Sequence, residues 1–398
     1  MILVFETTWD GTMHAPGNSA TLQSLALAFP EQQVVMFGSA SHLGQVSRDP
    51  AVAALANVRL APIELWPGER DHTQHVLASR AWHEFRTFRS GLAQVPAGEG
   101  CLIFLISTTA TATYAAAAAA HLSGRRCGVL VGWHGNLSEA LSPRSRNPLA
   151  RTFDIRSSLD HRWRLPVRFL VLEHNIKQTL AGISAAAAAR TDVLPLPILT
   201  REAKASTPAA LGWPIRFGFV GWGSAAKGFD HFLAAAREVK SRWGERVEFV
   251  HIGRANQPHE PAANGVLAYP LTDQPLPRDE FARRVDETHF ITLPFRRGYY
   301  DFAASGGLID AVTWARPVVT NEVPLTRLFF DQYGDIGTLC AEESGFAAAI
   351  EDILSASDPQ RYAAQVANLA AARDSRLPVA SAPLFGELVR NGFPGLLQ

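Results

Sequence analysis

The sequence predicts an α/β fold made of two doubly wound parallel sheets, one in each half of the chain. Short apolar runs alternate with longer helix-like segments, which is typical of parallel strands covered by helices on both faces. The chain has 398 residues, and because a domain commonly holds roughly 100–200 residues we expect two domains. A proline-containing stretch with few large apolar residues, 200–214, separates the two halves and predicts a linker.

The predicted strands restart after this linker. In the first half they cover 2–6, 33–38, 101–107, 127–133, 168–173 and 192–198. In the second half they cover 216–221, 247–253, 289–295 and 317–322. The intervening helical stretches include 19–29 and 174–189. We therefore predict an N-terminal domain over 1–199, a linker over 200–214, a C-terminal domain over 215–375, and a C-terminal segment, 376–398, for which a return to the N-terminal domain is one expectation.

Composition argues against several classes of protein. Lys plus Arg and Asp plus Glu both number 37, so the chain lacks the positive excess typical of a duplex-DNA binder. The three cysteines contain no CxxC pair, which argues against a disulfide framework or a thiolate zinc site and fits a reducing cytoplasm. The N-terminus does not resemble a signal peptide. The most apolar later window, Thr108–Leu122, is shorter than the roughly 20 residues that span a bilayer, so we expect a buried helix there and a cytoplasmic protein.

The first chemically informative segment begins at the predicted strand that ends at Gly221. A loop with Gly223 and Gly228 follows, and then a helix from Phe229. Glycines let backbone N–H groups approach a phosphate, a helix N-terminus favours negative charge, and Lys227 would add a mobile cation within reach of a diphosphate. The loop matches neither GxGxxG nor GxxxxGK[ST], which argues against a dinucleotide fingerprint and a Walker P-loop. The alternative is a tight turn with a solvated lysine.

A second helix start in the same half has similar features. Ser305 is a candidate N-cap, and the N–H groups of Gly306, Gly307 and Leu308 would then be free to take a phosphate oxygen. Asp310 lies in the first turn, where a carboxylate is favourable in any case. The alternative is an ordinary capped helix. Two such helix starts in one domain favour a bound anion.

These segments resemble the donor domain of GT-B glycosyltransferases, especially the large retaining nucleotide-sugar group (glycosyltransferase family 4-like). That group has Val-Gly-Arg after a strand and Lys-Gly at a helix start, where this sequence has Val220-Gly221 and Lys227-Gly228. It later has Glu-Ala and Pro-Val-Val, where this sequence has Asp310-Ala311 and Pro317-Val318-Val319. The resemblance implies two Rossmann-like domains facing across a cleft. It implies a nucleotide diphosphate sugar as substrate, without cofactor or metal ion, bound by Gly221, Gly223, Lys227, Ser305, Gly306, Gly307 and Asp310.

The sequence departs from the family pattern at two charged positions. Trp222 stands where the family has an arginine that faces the diphosphate, and the paired glutamates fall on Phe302 and Asp310. The first glutamate is therefore lost, and the second is a shorter acid. The candidates for replacing the lost cation, each equally consistent with a solvated surface charge, are Arg254, Arg296 and Arg297.

The first half offers candidate residues at predicted strand ends. The loop after the first strand contains Asp10, His14 and Gly17, and by analogy it approaches the donor phosphate or the acceptor. His134 ends another strand and can hydrogen-bond a sugar hydroxyl or support developing charge. Glu173 has a similar place. We take His134, Asp10 and Glu173 as catalytic candidates in that order, and His14 and Gly17 as acceptor-side residues; loop-stabilising roles are the alternative.

An arginine-rich stretch, Arg144–Arg168, stands out in a neutral chain. It holds seven arginines against Asp154 and Asp160, with Phe153 and Trp163 between them. One interpretation is a solvated, mobile loop. The other is a surface that contacts anionic lipid head groups or a pyrophosphate-linked acceptor, with the protein peripheral on the inner face of the membrane.

The preferred hypothesis is sugar transfer to a glycan or lipid-linked acceptor, with Lys227 and the N–H groups near Gly223 and Gly306 neutralising the leaving diphosphate. A retaining reaction requires no enzymatic base in the family's usual account, whereas an inverting one would use Asp10 or His14. One rival hypothesis is a catalytically silent GT-B protein that binds nucleotide or glycan. A nucleotide-cofactor oxidoreductase is the other, but it predicts an acidic residue where Gly253-Arg254 stands.

Overall fold

The computed structural model describes residues 1–68, 76–134, 136–205, 208, 210–254, 260–269, 276–298, 300–342 and 345–397, without the side chains of 204 and 205. The chain forms two compact units. Unit 1 comprises Met1–Thr200, Phe302–Ala304 and Arg376–Gln398, and unit 2 comprises Arg201–Asp301 and Ser305–Ser375. Within the predicted linker, 206, 207 and 209 lie outside the described residues.

Unit 1 contains a parallel sheet of seven strands in the order β3-β2-β1-β4-β5-β6-β7. The strands are β1 (Ile2–Phe5), β2 (Val34–Gly38), β3 (Val58–Pro62), β4 (Cys101–Leu105), β5 (Cys127–Trp133), β6 (Val167–Val171) and β7 (Thr191–Val193). Every residue of β1, β2, β4 and β5 is buried. Such continuous apolar runs are expected where helices cover both faces of a parallel sheet.

Helices pack on both faces of this sheet. They are α1 (Ala15–Ala28), α2 (Ala40–Val46), α3 (Pro50–Ala53), α4 (Ala78–Leu92), α5 (Ala112–Leu122), α6 (Pro148–Thr152), α7 (Ile155–Asp160), α8 (His174–Ile183), α9 (Ala185–Ala189) and the C-terminal α18 (Pro378–Gly392). Residues of α4 and α5 share a core with one face, including Phe5 and Phe88. Residues of α1 and α18 share a separate core with the other, including Val4 and Phe385.

Unit 2 contains a parallel sheet of six strands in the order β10-β9-β8-β11-β12-β13. The strands are β8 (Ile215–Val220), β9 (Val247–Ile252), β10 (Leu267–Tyr269), β11 (Phe290–Leu293), β12 (Val318–Asn321) and β13 (Gly337–Cys340). The helices are α10 (Thr200–Ala205), which begins at the end of unit 1, α11 (Phe229–Trp243), α12 (Glu260–Ala263), α13 (Arg278–Asp286), α14 (Gly306–Thr313), α15 (Pro324–Tyr333), α16 (Phe346–Ala356) and α17 (Pro359–Ser375). Stacked rings of Phe217, Phe249 and Phe290 tie the three central strands together.

The predicted fold of two parallel α/β sheets is confirmed, and the differences lie at the sheet edges. Three strands without a prediction, β3, β10 and β13, are all edge strands. Edge strands are short and partly exposed, so they lack the apolar run that identifies a central strand. The strand predicted over 192–198 ends at Val193, because Pro195 and Pro197 cannot donate to the sheet. The predicted helix 174–189 is two helices, since Ser184 interrupts it and caps the second.

Candidate anion site in unit 2 and polar network in unit 1

Gly221 and Gly223 form the turn at the end of β8, and their N–H groups are already used. Gly221 has φ 91°, and its N–H donates to Ile252 O at 2.8 Å. The Nε2–H of His251 donates to Gly221 O at 3.0 Å. The N–H of Gly223 donates to Arg254 O at 2.6 Å. The N–H groups of Gly221 and Gly223 are therefore not free for a phosphate oxygen, because the turn is closed by bonds to the residues at and after the end of β9.

The next turn places Lys227 beside the end of β11. Residues Ala225–Lys227 form a 3-10 turn, and Gly228 follows with φ 73°. A Cβ on Gly228 would lie 1.7 Å from Pro294 O. Only glycine allows both the left-handed backbone and this approach. The glycine of the Lys-Gly pair thus fixes the turn against the residue that follows β11.

The start of α14 lies at the same end of the sheet. A Cβ on Gly307 would lie 3.0 Å from Leu293 Cδ2 and 3.6 Å from Val220 Cγ2, so this glycine packs on the last residues of β11 and β8. Ser305 caps the helix by accepting from Leu308 N at 3.2 Å. The expectation of a free N–H on Leu308 is therefore wrong. Within the described part of the chain, the N–H groups of Gly306 and Gly307 have no partner, and Gly306 faces open space.

Asp310, one turn into α14, belongs to a charged cluster. Arg278 Nη2 lies 3.4 Å from Asp310 Oδ1. The same guanidinium donates to both carboxylate oxygens of Glu202, at 2.6 and 2.8 Å, and lies 4.9 Å from the ring centre of Trp314. With Lys227 we call this the Lys227 cluster (Lys227, Arg278, Glu202 and Asp310). Sequence reasoning missed Arg278 and Glu202, which belong to no motif.

The pKa values in this cluster show that Lys227 and Asp310 act on each other. Burial raises the pKa of Asp310 to about 6 while Arg278 and Lys227 oppose the rise. Burial also lowers the pKa of Lys227, and the carboxylate of Asp310 opposes that fall. A partly buried lysine next to two free helix N–H groups is suited to an anionic ligand.

The other predicted cations differ in their surroundings. Arg296 pairs with Asp230 at 2.5 Å, and its Nε donates to Ala225 O at 3.2 Å, so it braces the 3-10 turn. Arg254 and Arg297 are exposed. Trp222 is 57% exposed.

In unit 1, a buried carboxylate organises the loop after β1. Glu6 is 0% exposed and accepts from Thr8 N, Trp9 N, Asn18 Nδ2 and Ser107 Oγ at 2.7–3.0 Å. The second hydrogen of the Asn18 amide points to His42 Nε2 at 3.1 Å, while His42 Nδ1 donates to Gly11 O at 3.1 Å. We call this the Glu6 network (Glu6, Asn18, His42 and Ser107). Sequence reasoning missed it, although a glutamate directly after a buried strand was a usable signal.

Three predicted residues lie in or near the loop after β1. His14 has φ 58° and stacks on Trp9 with centroids 4.7 Å apart; His134 lies 5.7 Å away. Burial lowers the pKa of His14. Burial, with His14 as a smaller cause, lowers the pKa of His134 to about 3. Both imidazoles are therefore neutral near pH 7. Asp10 accepts from Gly11 N at 2.9 Å and from the hydroxyls of Ser39 and Ser41.

The two remaining predicted residues of unit 1 have structural contacts. Glu173 is 1% exposed, and Arg376 donates to its two oxygens at 2.7 and 3.1 Å. This pairing favours a structural role over a catalytic one. A Cβ on Gly17 would lie 3.5 Å from Leu196 Cδ1, so Gly17 allows α1 to pack closely on that side chain.

None of the described helices is long and apolar enough to span a bilayer. The described residues also contain no group of three or more His, Cys, Asp or Glu side chains arranged to hold a metal ion.

Two parallel-sheet α/β units in one chain define the GT-B class of fold, and solved structures of this class match nearly the whole chain. Anabaena HepE in complex with UDP matches with a TM-score of 0.63 and 13% identity, over 98% of this chain and 99% of that chain. The E. coli trehalose-6-phosphate protein bound with UDP-2-fluoro glucose has a TM-score of 0.66 and 10% identity, over 99% of both chains.

A third similar structure is the catalytic domain of starch synthase IV from Arabidopsis thaliana bound to ADP and acarbose. It has a TM-score of 0.65 and 11% identity, over 98% of this chain and 99% of that chain. At these identities the likeness shows the fold. No protein-family model matches the sequence, and no curated protein sequence matches it.

Proposed function

We propose that this chain is a glycosyltransferase that moves a sugar from a nucleotide diphosphate sugar to a glycan or lipid-linked acceptor. The observation that carries the proposal is the convergence of Lys227 with the free N–H groups of Gly306 and Gly307 at the ends of β8 and β11. In open parallel sheets, ligands bind at the carboxyl ends of the strands. The similar structures hold UDP, UDP-2-fluoro glucose and ADP, which supports a nucleotide diphosphate as the anion.

The roles of the unit 2 residues follow from the charge that develops during transfer. The bond from the sugar carbon to the diphosphate oxygen breaks and a bond to an acceptor oxygen forms. The acceptor proton passes to an oxygen of the leaving diphosphate if configuration is retained, or to Asp10 if it is inverted. Lys227 and the two N–H groups stabilise the negative leaving group without a metal ion. The carboxylate of Asp310 takes ribose or sugar hydroxyls. If the reaction retains configuration, as in the family 4-like group that the sequence resembles, no enzymatic base is needed.

The residues of the loop after β1 serve the acceptor in this proposal. His14 and His134 are neutral imidazoles at pH 7 because burial lowers the pKa of both, so they can hydrogen-bond sugar hydroxyls as donor or acceptor. Asp10 is the base to test if the reaction inverts configuration. Arg144–Arg168 is the proposed contact with a membrane that carries the acceptor.

A second candidate function is nucleotide binding without sugar transfer. It is favoured by Trp222 and Phe302, which occupy the positions of the family's arginine and first glutamate. Phe302 is 3% exposed and belongs to the core of unit 1, so it offers no polar group to a donor sugar. Incubation with a panel of UDP-, GDP- and ADP-sugars distinguishes the two functions. A catalytically silent protein binds nucleotide but does not cleave the nucleotide sugar into free sugar and nucleotide.

The decisive variant is Lys227→Ala, with Lys240→Ala as its matched control. Lys240 lies on the last turn of α11, where its Nζ donates to Gly265 O at 3.4 Å. We expect calorimetry with UDP, GDP and ADP to show binding of at least one nucleotide. Lys227→Ala should weaken that binding roughly 10- to 100-fold, because a charge-assisted phosphate contact is lost. Equal affinities for the two variants would rule out the proposed anion site.

A further inference from the structure

An apolar groove lies on unit 1 and is lined in part by the arginine-rich stretch Arg144–Arg168. It has a volume of about 470 Å³ and is formed by α4, α5 and α6. Its apolar lining consists mainly of Ala81, Trp82, Phe85, Ala118, Leu149 and Phe153. The volume falls in the range of roughly 300–1,000 Å³ that is typical of small-molecule sites.

Large apolar side chains are exposed at this groove. Trp82 and Leu149 are both 61% exposed. Trp82 also stacks on Phe85, with ring centroids 5.5 Å apart. Single exposed apolar residues are common, but a contiguous exposed set that lines a groove marks a binding surface.

The wall of the groove is held in place by an aromatic cluster. Tyr114 on α5 contacts the rings of Phe153, His161 and Trp163 at 5.0–5.5 Å, and its hydroxyl donates to Thr152 O at 3.1 Å. These contacts fix the arginine-rich stretch, including α6 and α7, against α5. The groove is therefore a preformed part of the fold.

Exposed arginines lie on or next to two of the helices that form the groove. Arg146 and Arg151 flank the groove-lining residues on α6, and Arg86 and Arg89 lie on α4. All four are exposed, and none forms an ion pair with another described residue. Arg144 does not add to this charge, because it pairs with Asp154 at 3.1 Å.

The groove continues into a polar cavity of about 460 Å³, and Val76, Leu77 and Ala150 line both. The charged groups of this second cavity are Arg144, Arg156, Glu139 and Asp154. Its charges balance, so the positive excess lies at the rim of the apolar groove.

We propose that this groove binds one hydrocarbon chain of an anionic membrane lipid, with the lipid phosphate near Arg146 and Arg151. The proposal rests on the membrane contact proposed above and deepens it. Hydrocarbon burial and attraction to anionic head groups add to each other, and one alone gives only weak attachment. A second copy of this chain is a poorer occupant, since a symmetric contact would place arginines opposite arginines.

The first test measures sedimentation of the full chain with phosphatidylcholine vesicles, with and without phosphatidylglycerol. Ala118→Glu places a carboxylate in the groove. Val379→Glu is the matched control, because Val379 is 70% exposed and lies on α18, which packs on the opposite face of the sheet. We expect binding only to the anionic vesicles, at least about tenfold weaker for Ala118→Glu than for Val379→Glu. Equal binding of the two variants, or equal binding to both vesicle types, would overturn the proposal.

Substitution of the arginines tests the proposed phosphate position independently. The double variant Arg146→Gln, Arg151→Gln should bind anionic vesicles roughly 30-fold more weakly at low salt, and the difference should shrink at high salt. Arg162→Gln, Arg164→Gln is the control in the same stretch. Both of these arginines are exposed and neither is next in sequence to a residue that lines the groove, whereas Arg146 precedes Asn147 and Arg151 follows Ala150. If the two double variants lost vesicle binding equally, the whole arginine-rich stretch would adsorb to the membrane, and the proposal of a lipid phosphate near Arg146 and Arg151 would be overturned.

Entry of a lipid hydrocarbon chain into the groove is measured with vesicles whose lipids carry bromine atoms in the acyl chain. These should quench the fluorescence of the wild-type chain more than that of Trp82→Phe, because Trp82 lies in the groove. Equal quenching would exclude insertion of a lipid chain at the groove.

Nucleotide calorimetry on the same variants separates this proposal from the enzyme proposal: Ala118→Glu should bind nucleotide like wild type. If the wild-type protein bound no nucleotide but the vesicle results were as expected, the sugar-transfer proposal would be contradicted and the lipid proposal would stand.

Discussion

The Lys227 cluster and the Glu6 network both collect polar side chains at strand ends. They differ in that the central carboxylate of the Glu6 network is satisfied within its own unit, whereas N–H donors beside the Lys227 cluster are not. In the Glu6 network, the carboxylate accepts four hydrogen bonds from within unit 1. The N–H groups of Gly306 and Gly307, beside the Lys227 cluster, have no partner within the described part of the chain. A buried carboxylate with all its bonds formed is suited to holding a loop, whereas free donors beside a lysine are suited to an external anion.

The two regions also differ in how ionisation is controlled. Burial lowers the pKa of His134 to about 3 and also lowers the pKa of His14, so these two imidazoles are neutral near pH 7. Burial raises the pKa of Asp310 to about 6, but Arg278 and Lys227 limit the rise, so most of this carboxyl is ionised at pH 7. Unit 1 thus offers neutral hydrogen-bonding groups and unit 2 offers charges, as expected for an acceptor sugar and a donor diphosphate respectively.

The largest expected effect concerns Glu173, whose role decides whether unit 1 contributes a catalytic carboxylate. Glu173→Ala should lower the free energy of unfolding by about 3–5 kcal/mol, because it removes the carboxylate that both guanidinium nitrogens of the buried Arg376 face. Urea denaturation measures this. Glu99→Ala is the control: Glu99 is half exposed and 3.9 Å from the N-terminal amine, so its loss should cost less than about 1 kcal/mol. Unchanged stability with lost sugar transfer would restore the catalytic interpretation of Glu173.

The fold was predictable where burial dominates. The central strands of both sheets are continuous apolar runs, and the alternation of strands and helices indicates a parallel sheet without any long-range information. The edge strands β3, β10 and β13 were not predictable in this way, since their residues are partly exposed and their strand character comes from pairing with a neighbour. The broken helix at Ser184 and the early end of β7 were visible as a capping residue and two prolines.

The candidate site was predictable where one short segment carries the geometry. Lys227, Gly228 and the start of α14 belong to local strand-turn-helix patterns, and the structure brings them to one end of the sheet. Arg278 and Glu202 were not predictable, because they are 76 residues apart and meet only through the fold. The N–H of Gly223 was misassigned for a similar reason: its acceptor, Arg254 O, comes from a neighbouring strand end.

A smaller expected effect tests how unit 2 responds to pH. Burial lowers the pKa of His251 to about 4, although the bond to Gly221 O opposes this. The unfolded chain takes up the proton near pH 6.5, so the free energy of unfolding should fall by about 3 kcal/mol as pH is lowered from about 6.5 to about 4. His251→Gln keeps a donor for Gly221 O and should reduce this slope. His121→Gln, at an exposed position of α5, should not. Equal slopes for both variants would contradict the assignment.

The smallest expected effect compares one helix cap in each unit. Ser305 caps α14 beside the proposed anion site, and Ser39 caps α2 by accepting from His42 N at 3.1 Å. Ser305→Ala and Ser39→Ala should each lower the free energy of unfolding by about 1 kcal/mol. Only Ser305→Ala should also weaken nucleotide binding, since fraying of α14 disorders the N–H groups of Gly306 and Gly307. Thermal melts and calorimetry measure both quantities. If Ser39→Ala weakened nucleotide binding equally, the contrast between a carboxylate that holds a loop and a site for an anion would not hold, because loosening either unit would then weaken binding of the same ligand.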